Sequence, residues 1–327
     1  LKPAEQSPIL GARLRDILLR AGAPADACRC VQGGGDAGAA LVRHRDLRVI
    51  AFTGSRAVGL EILRAAAEVP SGASDVKRVV CEMGGKNAII VDEDADRDEA
   101  VLAVLESAFG YQGQKCSAAS RLILVGDRYE KLVKRLAAAA RTLRVGPPEH
   151  PGNAIGPLID EDALRRVSSA VVRARREARV VLDTEFVGDE PPDGSGGYFV
   201  GPVIVDGLDP GHALAQEEIF GPLLCAFRAA SFEEALEIAN ATPYGLTGGV
   251  FSRSPAHLEL ARRELRVGNL YLNRAITGAV VRRQPFGGLK LSGVGWKAGG
   301  PDYLKQFLES RTIAENTLRH GFAPGLP

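Results

Sequence analysis

Cys116 is the cysteine of this 327-residue sequence whose surroundings suit chemistry better than packing. It lies in the polar, glycine-flanked segment Gly113-Gln114-Lys115-Cys116-Ser117. A structural cysteine usually has apolar neighbours, whereas a nearby cation and small polar residues lower a thiol pKa and leave room for an electrophile. The segment therefore predicts a nucleophilic thiolate at Cys116.

Glu82 is the candidate acid–base partner of this thiol. It follows the strand predicted over Lys77–Cys81 and precedes the pair Gly84-Gly85. A carboxylate at the exit of a buried strand, facing glycines that open space, suits a general base beside a substrate. No histidine lies near Cys116 in the sequence, which favours Glu82. A loop glutamate in solvent is the alternative, and for the segment taken alone it is the commoner case.

A phosphate site is the third candidate. The buried strand ending Phe52-Thr53 runs into Gly54-Ser55 and then into a helix that contains Gly59. Free N–H groups at a helix start attract phosphate, and small residues let a pyrophosphate approach. Any strand-to-helix turn also favours glycine and serine, so the residues alone leave both interpretations open.

The composition is that of a globular protein of about two domains. Hydrophobic residues make up 45% and charged residues 25%, and 41 basic residues nearly balance 40 acidic ones. A nucleic-acid partner is not predicted, since it would require a basic face. No apolar run is long enough for a membrane span. The cysteine count is odd and no pair has zinc-finger spacing, which predicts no metal site and a reducing, cytoplasmic location.

The elements that must position these residues alternate between strands and helices, which predicts a parallel sheet covered by helices. In the first 92 residues we expect a helix capped by Ser7 and ending at Gly22, with an apolar face formed by Leu10, Leu14, Ile17 and Leu18. Strands are predicted near Arg29–Gln32, over the buried run Leu47–Thr53 and over Lys77–Cys81.

A second α/β region follows residue 92. Its first predicted helix is entered through the acidic segment Asp92–Asp96 and runs to about Phe109. Further helices are predicted near Arg128–Arg144, Asp160–Arg176, Phe232–Ala239 and Pro255–Glu264. Its predicted strands lie near Leu122–Val125, Arg179–Leu182, Val203–Val205, Gly248–Phe251 and Asn269–Leu272.

Taken together, four segments resemble the aldehyde dehydrogenase superfamily, over Lys2 to about Asn316. They are E-x-G-G-K at 82–86, G-Q-x-C at 113–116, E-E-I-F-G-P at 217–222 and P-F-G-G at 285–288. They occur in the family's order and spacing. The resemblance implies a partial Rossmann-like NAD-binding domain over 1–83, an α/β catalytic domain over 84–295, and a C-terminal return with an oligomerisation strand over 296–327.

The resemblance also implies roles for single residues. Cys116 matches the family's nucleophile and Glu82 its general base. The matching cofactor positions are Lys2 and Glu5 for the adenosine ribose, Ser55 with Gly54 and Gly59 for the pyrophosphate, and Glu218 and Phe220 for the nicotinamide end. A carboxylate at Glu5 repels a 2′-phosphate, so NAD is expected in preference to NADP.

Three segments, Gly113–Arg121, Asn273–Ala279 and Arg283–Gly288, narrow the resemblance. Within the superfamily they most resemble the 1-pyrroline-5-carboxylate dehydrogenases. Their substrate, L-glutamate γ-semialdehyde, is held by backbone groups that match Gly278 and Ala279, by a hydroxyl that matches Ser117, and by a pocket wall that matches Phe286. Thr277-Gly278-Ala279 as an ordinary turn is the alternative. Arg282 stands where relatives commonly have a small residue, so another semialdehyde is a second possibility.

The reaction implied is NAD-dependent oxidation to glutamate through a cysteine thioester, in proline catabolism, by a homo-oligomer. The resemblance lacks the family's N-terminal portion, including an asparagine of the oxyanion hole, and losing such a donor costs about 10²–10³ in rate. We therefore carry a second expectation, a truncated and catalytically impaired protein that acts as a non-catalytic module.

Overall fold

The fold is known from a computed structural model that describes residues 1–184, 187–188 and 196–317. The helices of the described part are α1 (Pro8–Arg20), α2 (Gly35–Arg43), α3 (Arg56–Ala67), α4 (Arg97–Phe109), α5 (Tyr129–Ala140), α6 (Glu161–Glu177), α7 (Ala213–Gln216), α8 (Phe232–Asn240) and α9 (Pro255–Glu264). The strands are β1 (Val49–Thr53), β2 (Arg78–Glu82), β3 (Asn87–Val91), β4 (Ala119–Val125), β5 (Arg179–Asp183), β6 (Val187–Gly188), β7 (Phe199–Val200), β8 (Val203–Asp206), β9 (Leu223–Ala229), β10 (Tyr244–Gly245), β11 (Thr247–Phe251), β12 (Asn269–Leu272), β13 (Leu289–Lys290) and β14 (Gly293–Val294). Short 3₁₀ helices cover Gly110–Gly113 and Tyr303–Phe307.

A seven-stranded sheet forms the larger layer, in the order β12-β11-β3-β4-β9-β8-β5. All neighbouring pairs are parallel except β5 with β8 at one edge, which is antiparallel. Alternate side chains of its strands enter two separate cores. Helices α6, α8 and α9 cover one face, and α4 and α5 cover the other. The predicted parallel sheet with helices on both faces is confirmed.

A three-stranded sheet in the order β1-β2-β14 forms the smaller layer. β1 and β2 are parallel, whereas β14, from late in the chain, pairs antiparallel with β2. The sheet packs on α2 and α3 through a small apolar cluster, Val42, Ile50, Ile62 and Ala66. The strand predicted over Leu47–Thr53 forms as β1, but its predicted burial was wrong, because Ile50 is its only buried residue.

Several local predictions also differ from the structure. No strand forms near Arg29–Gln32. Instead, Val31 N–H donates to the Leu1 carbonyl oxygen, and the Leu1 amino group donates to the Arg29 carbonyl oxygen. Helix α1 begins as expected, but the Ser7 side chain makes no capping hydrogen bond. The apolar face of α1 is exposed, including Leu10 at 71%.

The C-terminal part returns to the small sheet and then runs along the surface. Residues 308–317 form no strand within the chain, although Arg48 and Arg78 both bind the Glu309 carboxylate. The predicted pairing of this segment with a second subunit stays a prediction, and its residues 318–327 lie outside the described part. No helix in the described ranges has both the length and the apolar character needed to cross a membrane.

Candidate active site

The predicted nucleophile lies on a strained turn between α4 and β4. Two residues of the preceding 3₁₀ helix, Tyr111 and Gln112, have left-handed backbones with φ of 59° and 58°. Such conformations persist where surrounding contacts impose them, and they cluster at functional sites. Cys116 itself is half-buried. The turn is therefore held in a conformation that its own sequence does not favour.

Asn87, at the start of β3, holds this turn in place. Its Nδ2 donates to the carbonyl oxygens of Cys116 and Ala118, each at 2.8 Å. Its Oδ1 accepts from Thr247 N–H at 3.0 Å. Asn87 is 2% exposed. Through these three hydrogen bonds it links the start of β3 to the turn before β4 and to the start of β11. No role was predicted for Asn87, although a buried polar residue opening an apolar strand was a signal for one.

Glu82 occupies the carboxyl end of β2, where that strand pairs with Thr53 of β1 and Gly293 of β14. Burial raises the pKa of its carboxyl group to about 7, although the Gly288 amide and the Lys297 ammonium oppose the rise. Its Oε2 is buried with no hydrogen-bond partner in the described part of the chain. A carboxyl group that titrates near neutrality suits proton transfer.

The thiol of Cys116 is less acidic than the sequence suggested. Burial raises its pKa to about 11, and the charges of Glu218 and Glu82 add to the rise. The prediction that Lys115 lowers this pKa was wrong, because its ammonium lies over the Tyr111 ring, 5.5 Å from the centroid. The amide groups of Cys116 and Ser117 act in the opposite direction. Both carboxylates therefore lie close enough to influence the sulfur.

The two glycines after Glu82 connect these groups. Glu218 Oε1 accepts from Gly85 N–H at 3.0 Å. A Cβ at Gly84 would overlap the Glu218 carboxylate, and one at Gly85 would lie 2.8 Å from the Cys116 carbonyl oxygen. The Glu218 loop also contains Phe220, whose φ is 58°. The structure thus brings Glu82, Cys116 and Glu218 together around one short glycine segment.

Lys86, which follows these glycines, is an unusual buried cation. It is 1% exposed, and its Nζ has no hydrogen-bond partner within the described ranges. Burial lowers its pKa to about 8, an effect that Arg121 reinforces and Cys225, Glu218 and Glu217 oppose. It stabilises the charged form of Glu218 in turn.

The predicted pyrophosphate site lies at the start of α3. Ser55 caps this helix, its Oγ accepting from Val58 N–H at 3.3 Å. Gly54 N–H donates to the Glu82 carbonyl oxygen at 3.1 Å, which places this helix start beside the end of β2. Gly59 is buried, and a Cβ there would overlap Met83. Gly59 therefore packs the helix against the strand exit, and its contact with a cofactor stays a prediction.

These surroundings fit a nicotinamide dinucleotide. Ligands of α/β folds bind at the carboxyl ends of parallel strands, and helix N-termini favour phosphate. The end of β1, the start of α3 and the half-buried Glu218 occupy such an edge. The predicted ribose residues also meet at the N-terminus, where Lys2 Nζ lies 3.7 Å from Glu5 Oε2.

The predicted substrate residues are placed less closely. Ser117 is buried beside the thiol, and its carbonyl oxygen accepts from Thr247 Oγ1 at 3.2 Å. Gly278, with φ of 76°, and Ala279 belong to a loop that Ile276 N–H anchors to Ser107 on α4. Neither of their amides donates to an acceptor in the described chain. Among the described residues, no hydrogen bond joins them to Cys116 or to Phe286, which is paired with the Ala298 backbone.

Gly84 offers a direct test of this arrangement. We expect Gly84→Ala to displace the Glu218 carboxylate and to destabilise the fold by about 1–3 kcal/mol, the cost of overpacking. Thermal unfolding measures the stability. NAD binding is followed by the fluorescence of Trp296, the single tryptophan.

The matched control is Gly110→Ala, since a Cβ at Gly110 meets no atom within 4 Å. The control should keep both the melting temperature and the fluorescence response. Equal behaviour of the two variants would show that Gly84 does not confine Glu218.

Comparison with known proteins gives one family and a consistent group of relatives. Residues 1–313 match the model of the aldehyde dehydrogenase family. The chain is 45% identical over 316 residues to 1-pyrroline-5-carboxylate dehydrogenase 1 of Halalkalibacterium halodurans, and 44% identical to 1-pyrroline-5-carboxylate dehydrogenase of Bacillus subtilis. Each match covers 96% of this chain and 60% of the relative. The chain thus spans about 60% of the length of these curated relatives.

Two solved structures have the same fold over this chain. Proline utilization A from Bdellovibrio bacteriovorus matches with a TM-score of 0.92 and 48% identity, covering 98% of this chain and 33% of that one. A 1-pyrroline-5-carboxylate dehydrogenase from Thermus with bound NAD matches with a TM-score of 0.89 and 48% identity. That match covers 94% of this chain and 58% of the Thermus chain.

Proposed function

Since the chain belongs to the aldehyde dehydrogenase family, we propose that it oxidises L-glutamate γ-semialdehyde to glutamate with NAD as the hydride acceptor. The relatives named above support this substrate and a place in proline catabolism, because they are 1-pyrroline-5-carboxylate dehydrogenases and a proline utilization protein. The balance is one aldehyde, one water and one NAD⁺ giving one carboxylic acid, one NADH and one H⁺.

One observation carries the proposal. Around Gly84-Gly85 the chain assembles a thiol, a carboxyl group that titrates near neutrality and a second, half-buried carboxylate. A cysteine with a purely structural role needs neither a polar turn nor two acidic neighbours. The two carboxylates make the Cys116 thiol harder to ionise. A nucleophile that gives its proton to an adjacent base needs both the room and the base.

In the first step, the Cys116 sulfur adds to the aldehyde carbon. With a pKa of about 11, only roughly one thiol in 10⁴ is ionised at pH 7. Glu82, with a pKa of about 7, is a neighbouring acceptor for the thiol proton. The amide groups of Cys116 and Ser117, which favour the ionised sulfur, assist the attack. After oxidation the sulfur holds the acyl group as a thioester.

Before the second step, Glu82 releases the thiol proton to solvent, which is the H⁺ of the overall balance. Glu82 then takes a proton from water, and the resulting hydroxide attacks the thioester carbon. The carbon–sulfur bond breaks, and the sulfur leaves as the thiolate, which regains a proton from Glu82. The Oε2 of Glu82 is suited to this task, because no donor in the described part of the chain competes for it.

For the cofactor we propose NAD, which when bound supplies the hydride acceptor. Lys2 and Glu5 would hold the adenosine ribose, Gly54, Ser55 and the start of α3 the pyrophosphate. Glu218 and Phe220 would hold the nicotinamide ribose and ring. NAD is preferred to NADP because the Glu5 carboxylate repels a 2′-phosphate.

For the substrate we propose that the exposed amides of Gly278 and Ala279 and the Ser117 hydroxyl bind the amino-acid end. Exposed N–H groups recognise a carboxylate without requiring an arginine. Phe286 would form a wall of the pocket. These roles rest on the matched motifs. They can be tested in a complex with substrate by measuring the distance from the Gly278–Ala279 loop to the Cys116 thiol.

We assign residues 1–83 to cofactor binding, 84–295 to catalysis and 296–327 to a C-terminal return that joins a homo-oligomer. The five unpaired cysteines favour a cytoplasmic location. These assignments belong to the proposal.

The experiment is to measure NADH formation by the purified protein with glutamate semialdehyde and with succinate semialdehyde. We expect turnover to favour the glutamate compound by at least about ten-fold, the usual discrimination for one carbon unit in a fitted pocket. In parallel, the alkylation rate of Cys116 and the melting temperature are measured with and without NAD.

A preference for succinate semialdehyde would keep the chemistry and change the substrate. Two negative results together would instead favour a non-catalytic module. The first is an absence of turnover. The second is a Cys116 that is alkylated no faster than a model thiol, while NAD changes neither its alkylation rate nor the melting temperature.

A further inference from the structure

Lys297 is a cation close to Glu82, and the proposed mechanism assigns it no role. It lies in the segment after β14, one residue before Ala298, which is paired with Phe286 by two backbone hydrogen bonds of 2.9 and 2.7 Å. Its Nζ donates to the carbonyl oxygen of Gly268. The ammonium is therefore fixed at the base of the loop that contains Phe286.

The carboxylate of Glu82 approaches the same loop. A Cβ at Gly287 would lie 2.9 Å from Glu82 Oε1 and 3.2 Å from Lys297 Cγ. The two side chains therefore share one face of Gly287. No direct ion pair joins them in the described chain, so the ammonium acts on the carboxylate across a short gap.

Several strand contacts make this arrangement rigid. Gly293 of β14 pairs with Glu82 itself, and Met83 N–H donates to the Ser292 carbonyl oxygen at 2.8 Å. Trp296 N–H donates to Gln306 Oε1 at 2.9 Å. The segment just before Lys297 therefore pairs with Glu82 and with its two neighbours in the chain, Cys81 and Met83. A surface lysine would not need such support.

We infer that Lys297 is a positioning residue for Glu82: its ammonium keeps the carboxylate turned toward Gly287 and stabilises its charged form. This inference rests on the role of Glu82 as the base. Without the cation, the buried carboxylate would stay protonated to a higher pH, and its free Oε2 would lose the orientation in which it meets a water.

The groups that face Glu82 are few. Lys297 is the cation that lowers its pKa, and the Gly288 amide lowers it as well. The thiols of Cys116 and, on the same strand, Cys81 have their own pKa values raised by the Glu82 charge. Both thiols are neutral near pH 7, so Lys297 is the partner whose removal changes the charge around Glu82.

The test compares Lys297→Met, which keeps the length and removes the charge, with Lys297→Arg, which keeps the charge. Glutamate carboxyl carbons are labelled with ¹³C, the Glu82 signal is assigned by its loss in Glu82→Gln, and its titration is followed by NMR. We expect the midpoint, about 7 in the wild type, to rise by about one pH unit in Lys297→Met. It should stay close to the wild-type value in Lys297→Arg.

An unchanged or lower midpoint in folded Lys297→Met would overturn the inference, as would equal shifts in both variants. If Lys297→Met does not fold, the reciprocal measurement decides. The Lys297 ammonium should titrate at lower pH in Glu82→Gln than in the wild type, because Glu82 raises its pKa, and no difference between them would contradict the inference.

Turnover separates this result from the proposed function. The NMR titration needs no catalysis, so an inactive protein with the expected shifts would reject the function and keep the coupling. In an active protein, the acid limb of the steady-state rate should move with the NMR midpoint. An active protein whose acid limb ignores Lys297→Met would reject the coupling alone.

Discussion

Replacing Cys116 with alanine is expected to lower aldehyde-dependent NADH formation by at least about 10⁴-fold, because no other group can form the thioester. The side chain is half-buried and its turn is fixed through the Cys116 carbonyl oxygen by Asn87. Removing the sulfur should therefore leave the backbone unchanged. Initial rates with glutamate semialdehyde measure the effect, and NAD-induced stabilisation against heat should be retained.

Two further variants make the result specific. Cys116→Ser keeps the shape but supplies a poorer nucleophile, and it should be nearly as inactive as the alanine variant. Cys28→Ala removes a half-buried thiol remote from the site and should keep wild-type rates. Mass spectrometry of the wild-type protein, quenched during turnover, should find the acyl group on Cys116. If Cys116→Ala retains a tenth of the wild-type rate, the sulfur is not the nucleophile.

Glu82→Gln is expected to lower the steady-state rate by about 10²–10⁴-fold, the usual contribution of a general base. Glutamine has the same shape but accepts a proton neither from the Cys116 thiol nor from water. We expect the first turnover of about one NADH per Cys116 to be slowed together with the hydrolysis of the thioester that follows it. Rapid-mixing absorbance at the NADH band separates the two phases.

The pH dependence adds a second signature. The base is competent when it is deprotonated, so the wild-type rate should rise with pH through the Glu82 pKa of about 7. This rise should be absent in Glu82→Gln. Glu61→Gln, an equal charge change at an exposed position on α3, should keep both the rate and the rise. A wild-type profile that is flat between pH 6 and 8 would argue against Glu82 as the base.

The sequence predicted the general architecture because α/β proteins repeat strongly periodic elements. Amphipathic helices such as α6 and α8 lie close to their predicted bounds. The strands β3 and β9 were missed, although both lie inside the main sheet. A strand buried on both faces has no alternation of polar and apolar residues. Both β3 and β9 also follow directly on a glycine-containing motif. The motif was interpreted as part of a site, and the strand that begins after it was not predicted.

The site could be predicted only as far as single side chains have recognisable surroundings. Cys116 and Glu82 could be proposed because polar, glycine-rich ends of strands and turns stand out in a sequence. Asn87 and Lys297 were not, since their importance comes from contacts with residues far away along the chain. Lys115 shows the opposite error: it is next to the cysteine in sequence, yet its ammonium contacts the Tyr111 ring.

The pairing of β14 with β2 also bears on how the protein is made. On a ribosome, β1 and β2 emerge before β14, and domains generally form in the order of synthesis. Glu82, however, faces Gly293, so its strand keeps an open edge until β14 has been translated. Contacts between such distant residues form slowly. The nascent protein therefore completes the strand pairing at Glu82 only after β14 has emerged, and until then the uncovered edge is a site where chaperones or neighbouring chains can bind.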